Sequence, residues 1–277
     1  MMAGLIALCG MAQAAYVTIG NAGNAADTAN GGIYGDVAYT YQISATEVTI
    51  AEFTASGAGS GNENYWNDGT RTVGTAAPAG QVSLYEAMKY CNYITSGDIN
   101  LGAYIFSGGI YQSTDRASAI TTYGTVYALP TEDEWYKAAY FKTDASGYSL
   151  YANGTANIPT HGTTDGWNYY NSGYVNGSPN YTWTAGYGGA EQNGTYDMMG
   201  NVWEWMEASR GVLRGGSFNY LESTLRSSYR GLINPTDEYD FFGFRVVAIP
   251  EPATALSLVL GGLVVTGYRR LRKSYGL

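Results

Sequence analysis

Tyr196-Asp-Met-Met-Gly-Asn-Val-Trp-Glu-Trp205 decides how this chain folds, and Leu213-Arg-Gly-Gly-Ser217 follows closely behind it. Working outward, Ala128-Leu-Pro-Thr-Glu-Asp-Glu-Trp135 precedes the pair and Phe242-Gly-Phe-Arg-Val246 follows it. Trp203 and Trp205 read as core aromatics. The surrounding composition is unusual, with 38 Gly, 27 Tyr, 6 Trp and only 13% charged residues in 277. Tyr and Trp bring apolar area with a polar handle, and Gly permits tight irregular backbone. These numbers describe one loop-rich globular domain with little regular helix, large enough to bury a proper core.

Local signals place the regular elements. Thr49 with Glu52, Ser83 with Glu86 and Thr131 with Glu134 are capping-box pairs that predict three helix starts. After Ser83, the residues Leu84, Ala87, Met88, Cys91 and Ile94 fall at helical spacing, so Cys91 is expected as a buried structural thiol. After Thr131, Trp135, Ala138 and Ala139 make a similar stripe, ending near Phe141-Lys142. Tyr39 to Val48, Val212 to Arg214 and Phe244 to Ala248 read as strands. Ala145 to Asn193 is dense in Gly, Asn, Thr and Tyr without sustained period, and reads as irregular coil.

The two ends point to export. Met1 to Ala14 is apolar and closes on Ala12-Gln13-Ala14, a small-x-small pattern expected at a secretory cleavage site, although no basic residue precedes it. Pro250-Glu251-Pro252 leads into the apolar run Ala253 to Tyr268 and a cluster of Arg269, Arg270, Arg272 and Lys273. As a helix the run would be roughly 24 Å long, short of a ~30 Å hydrocarbon core. The basic cluster would stay on the cytoplasmic side. With those four set aside, ten basic residues face 23 acidic ones, a balance that repels phosphate backbones, so no nucleic-acid partner is expected. If Cys9 leaves with the signal, Cys91 is the one thiol remaining, and no internal disulfide can form.

The four phrases, with Tyr41 to Thr49 and Val82 to Asn92 ahead of them, closely resemble the formylglycine-generating enzyme (sulfatase-modifying factor) family. The resemblance implies an α+β, C-type lectin-like fold over residues 15–249, loop-rich with short strands and a few short helices. It implies structural Ca²⁺ at two sites. The first would use Asp197 and Glu204 side chains with the Gly200 and Val202 carbonyls; the second would use Asn168 and the Tyr169 carbonyl, with further ligands near Asn180. Hard oxygen donors in a loop suit that ion. The competing reading is that Asp197 caps a turn and Glu204 pairs with an arginine.

The enzymes of this family oxidise a substrate cysteine with two cysteines of their own, placed shortly after the segment matching Arg214 to Ser217. Direct placement puts Tyr220 and Leu225 there, and neither can form a thiolate or bind copper(I). No catalytic residue and no copper are therefore expected. Iron-dependent sulfoxide synthases sharing the domain need a histidine-rich site, and His161 is the single histidine. Arg226, Arg230 and Arg245, with Asp237, Glu238 and Asp240, read as structural ion pairs.

The tail, residues 250–277, resembles a PEP-CTERM sorting signal, which implies exosortase-type machinery as partner and transient or lasting membrane attachment. These readings together describe an exported surface scaffold without catalysis, binding or displaying a polysaccharide or protein ligand, with Trp167 to Tyr187 as the expected contact surface. A sulfatase-modifying oxidoreductase and a structural subunit of a surface layer or fibre are the alternatives.

Overall fold

The computed structural model describes residues 15–30, 33–60, 74–162, 165–176, 181–208 and 210–250. The expected signal at 1–14, the tail beyond Pro250 and Asn180 lie outside the described residues. Among the described residues no helix is long and apolar enough to cross a membrane.

Each predicted capping box forms. Thr49, Ser83 and Thr131 begin α1 (Ile50–Ser56), α2 (Leu84–Ser96) and α4 (Glu132–Tyr140), each accepting the backbone N–H of the Glu three residues on. The Glu side chain in turn accepts from the cap's own N–H, so two otherwise unpaired donors are satisfied at each start. α2 buries Leu84, Ala87, Met88 and Cys91, as its spacing predicts, and burial pushes the Cys91 thiol's pKa well up. One further helix, α3 (Arg116–Tyr123), starts on Asp115 without a box partner, so no reciprocal signal announces it.

Strands are short and assembled across great sequence distance. β1 (Tyr16–Ile19), β2 (Tyr41–Ser44), β10 (Val247–Ile249) and β5 (Val126–Ala128) make one antiparallel sheet in the order β1-β2-β10-β5. β3 (Tyr104–Ser107) and β4 (Ile110–Thr114) form a hairpin. A second sheet runs β8 (Gly231–Ile233), β7 (Gly211–Arg214), β6 (Trp203–Trp205), β9 (Phe242–Gly243), with β6 and β9 parallel. The strand expected over Phe244 to Ala248 is thus shorter, with only Val247 and Ala248 of it paired in a sheet. The chain leaves the second sheet at Gly243 and joins the first at Val247, and Phe244 and Arg245 turn into the interior between them.

The coil after α4 is ordered by side-chain amides rather than by backbone ladders. Asn193 donates to the carbonyls of Ala138 and Phe141, and Gln192 to that of Ala139, which satisfies the open end of α4. Trp167, Tyr169 and Trp183 anchor the same coil in the core. Gly200 shows why its phrase tolerates no side chain: it sits at φ 84°, and a Cβ there would lie 2.3 Å from the Asn168 carbonyl oxygen.

Candidate functional site

The residues singled out in the sequence meet in a buried polar layer. In β6 successive side chains alternate, so Glu204 points away from the face that Trp203 and Trp205 cover. It meets Arg245: Nε donates to Oε2 and Nη2 to Oε1, both at 2.7 Å, with both side chains wholly buried. Trp135 Nε1 adds a third bond to Glu204 Oε2, also 2.7 Å. Arg245 spends its other donors on the carbonyls of Ser44, Ala45 and Tyr196, tying the end of β2 to the Tyr196 turn.

Carboxylates outnumber cations here. Glu47, Glu191 and Asp197 are buried beside the pair, and the fields of Arg245 and of one another act on all three. Burial, then repulsion from Asp197, holds Glu47 well above the usual carboxylate range. Burial pushes Glu191 up to about 8 against the pull of Arg245. Asp197 rises to about 6 through burial, although Gly186 N–H and Trp183 Nε1 both donate to it.

Asn201 joins the groups, accepting from Asn168 Nδ2 at 3.1 Å and donating to Glu47 Oε1 at 3.1 Å. The Asn168 carbonyl in turn accepts the N–H of Asn201, so the two segments expected to hold calcium lie directly against each other.

These positions differ in their readiness for a hard cation. Both oxygens of Glu204 are held by N–H donors, one of them a guanidinium that would compete with a cation for the same carboxylate. Asn168 is the opposite case: its Oδ1 is buried and has no hydrogen-bond partner, as is Oε2 of Glu47. An oxygen of that kind fits a calcium ligand set. Among the described residues no three His, Cys, Asp or Glu side chains group as a metal site.

The surface over Trp203 is made differently. Arg214, buried in β7, donates to Glu132 and to the carbonyls of Ser227 and Tyr229, and lies 4.6 Å over the Tyr34 ring. It fixes the segment that follows Ser217. Within that segment Leu225 is fully buried, while Tyr220 is half-buried with its ring 5.4 Å from Trp203 and 5.7 Å from Phe241. Burial raises the Tyr220 phenol, which stays neutral. Arg226 pairs with Glu222, four residues before it, and Arg230 with Glu132, so these arginines do form ion pairs, but with glutamates that the sequence reading did not name. His161 packs edge-on against the Tyr169 ring, 5.1 Å away.

A family model described as "Sulfatase-modifying factor enzyme 1-like domain" matches residues 23–249. The chain belongs to that family. Among solved structures, Treponema denticola variable protein 1 is similar at 21% identity, over 85% of this chain and 95% of that one, with a TM-score of 0.58. CarF is similar at 22% identity, over 87% and 99%, with a TM-score of 0.60. At such identity these likenesses establish the fold, an α+β arrangement of short helices and strands. A search of curated proteins finds no match.

Of the expected calcium ligands, Asp197, Glu204 and Asn168 stand in the polar layer and Gly200 lies against the Asn168 carbonyl, whereas Val202 is simply buried and the Tyr169 hydroxyl bonds the Pro159 carbonyl. Sequence reasoning missed Glu47, Glu191 and Asn201 as members of that layer. Glu47 and Asn201 stand inside quoted phrases, and Glu191 just ahead of one, but nothing local marks them as buried. The expected contact surface divides: Trp167, Tyr169 and Trp183 are interior, whereas Tyr170, Tyr174 and Tyr187 reach solvent.

Proposed function

We propose that this chain is an exported, non-catalytic binding or display scaffold built on the sulfatase-modifying domain in its C-type lectin-like form. The observation that carries the reading is the occupancy of the positions matched to the catalytic cysteines. Tyr220 offers an aromatic ring and Leu225 a buried aliphatic chain, and no cysteine follows Cys91. Thiol–disulfide chemistry needs a sulfur that can ionise, and neither side chain supplies one. The full-length chain, incubated with a cysteine-containing sulfatase peptide, oxygen and copper, should form no aldehyde by mass spectrometry; aldehyde formation overturns the reading.

Export rests on the signal-like start and the PEP-CTERM-like end, and implies exosortase-type machinery as a partner and a surface or extracellular address. Protease shaving of intact cells should remove the domain, and protection equal to that of a cytoplasmic marker would exclude the surface.

Calcium belongs to the same proposal as a structural ion. Asn168, with the Tyr169 carbonyl, is the better-prepared position; Asp197, Glu204 and the Gly200 and Val202 carbonyls form the other. The ion would fix coil that has few ladders of its own. Chelation should lower the melting temperature, and an unchanged melting curve removes calcium from the account.

A further inference from the structure

One side of this acidic protein is almost free of charge, and the chain leaves the domain beside it. Across residues 99–130 the only charged side chains are Asp115 and Arg116. Arg116 is already paired with Glu134 and Glu207, and Asp115 caps α3 by accepting the Ser118 N–H. Leu101 and Ile105 stand open to water at the β3–β4 hairpin, and Ile110, 68% exposed, is the most open large apolar side chain among the described residues. The hairpin's other face, with Tyr104, Phe106 and Tyr111, packs on the core. The Asp115 N–H bonds the Ala103 carbonyl, so α3 starts at the hairpin's base, and α3 buries only Ala119. That helix is about 12 Å long and presents Ala117, Ser118, Thr121, Thr122 and Tyr123 to water. β5 follows it, and Val126 at the start of β5 pairs with Ile249, the last residue of β10. The hairpin, α3 and the exit of the tail are thus joined in succession.

We infer that the domain rests on a lipid bilayer through this face, with Leu101, Ile105 and Ile110 among the headgroups beside the point where the tail leaves. The inference rests on the export reading, in which the tail enters a membrane, and adds which side of the domain meets the lipid. Reach supports it. From Ile249 to Ala253, where the apolar run begins, the chain spans at most about 14 Å, so the Val126 corner cannot stand far from that membrane. Charge selects the face. With the tail's four cations set aside, ten basic residues face 23 acidic ones, so most of the surface is repelled by anionic headgroups while the uncharged run is not. Moving exposed isoleucines out of water is favourable in proportion to their apolar area. Depth follows from the backbone. Asn92 closes the outer edge of β3, donating to the Tyr104 carbonyl at 2.7 Å and accepting its N–H at 3.0 Å, whereas β4 has no strand beyond it. Open backbone groups are tolerated among wet headgroups but not in hydrocarbon, so the hairpin lies at the interface without entering the bilayer core.

Photocrosslinking tests this, with the full-length chain reconstituted in vesicles of phosphatidylcholine and phosphatidylglycerol that carry a tracer lipid with a diazirine near its headgroup. On illumination the diazirine loses N₂, the carbene inserts into a neighbouring C–H or O–H bond, and peptide mass spectrometry locates the adduct. Adducts are expected in the tail and in residues 101–123, with none in residues 221–239, although Leu232 is 60% exposed there. Ile105→Asp combined with Ile110→Asp should lower the adducts in residues 101–123 about fivefold or more, the scale of returning two isoleucines to water. The tail adducts and the melting curve of that variant should match the parent. Leu232→Asp should leave the whole pattern unchanged. Adducts in the tail alone, as when a second copy covers the hairpin, overturn the inference and leave the export reading standing. Heavier labelling of residues 221–239, or equal labelling of the Asp variant, overturns it too. Adducts in neither place sink the tail's attachment and this inference with it.

Discussion

The layer behind Glu204 and the face over Trp203 are adjacent, yet they are built from opposite materials. The first is carboxylate, amide and guanidinium, all buried; the second is phenol and aromatic ring, half-open to water. Charges taken out of water are tolerable only when each is paired or neutralised, so the interior can vary little without unfolding. Rings on the surface carry no such obligation and are free to be chosen for what they touch. The recognisable phrases therefore mark the scaffold, and the stretch between Ser217 and Phe241, which carries none of them, holds part of the open aromatic face.

The sharpest way to break this comparison is Arg245→Met. It strands Glu204 in the interior with Glu47, Glu191 and Asp197 nearby and no cation among them. Loss of one partner from a buried pair costs about 3–5 kcal/mol. In a domain of this size the melting temperature should fall on the order of 10 °C. Arg245→Met with Glu204→Leu should recover part of that loss, because no charge is left unpaired. A single variant as stable as the parent would show that the layer is not held by this pair.

Next in size is a dependence on pH. Glu191 titrates in the folded protein at about 8 and Asp197 at about 6, against ordinary values of 4.5 and 3.8. As pH rises from about 4.5 the unfolded chain releases these protons while the folded protein keeps them. Stability should therefore fall through the neutral range until pH passes about 8. Urea midpoints at pH 5 and pH 8, with chelator present, measure the slope, and Glu191→Gln should flatten it. A midpoint that rises with pH would contradict burial as the dominant influence on Glu191.

What could be read from the sequence follows the range of the forces. The capping boxes at Thr49, Ser83 and Thr131 are settled within one turn of backbone and were legible. So was the apolar face of α2. The strand over Phe244 to Ala248 was drawn too long because its start depends on where the chain passes from one sheet to the other, and Val247 pairs with Ile43 from the far end of the chain. Glu47 and Glu191 look like any surface glutamate until the fold closes over them. Tyrosine is equally at home inside and outside, which is why Trp167 to Tyr187 could be named as a contact stretch although three of its seven large rings are core.

The smallest expected effect sharpens the contrast most directly. Arg226 and Glu222 make an ion pair of the same chemistry as Arg245 and Glu204, at 2.5 Å, but with side chains 40% and 24% exposed. Water already solvates both partners, so their attraction adds little to what solvation supplies, and a partly exposed pair of this spacing is worth less than about 1 kcal/mol. Arg226→Ala also gives up a bond to the hydroxyl of the buried Tyr151, which adds the modest cost of one lost hydrogen bond. Its melting curve should lie within a few degrees of the parent. A loss as large as that of Arg245→Met would mean the Ser217 to Tyr229 segment is held as the interior is, and the aromatic face would then be part of the scaffold instead of a surface laid upon it.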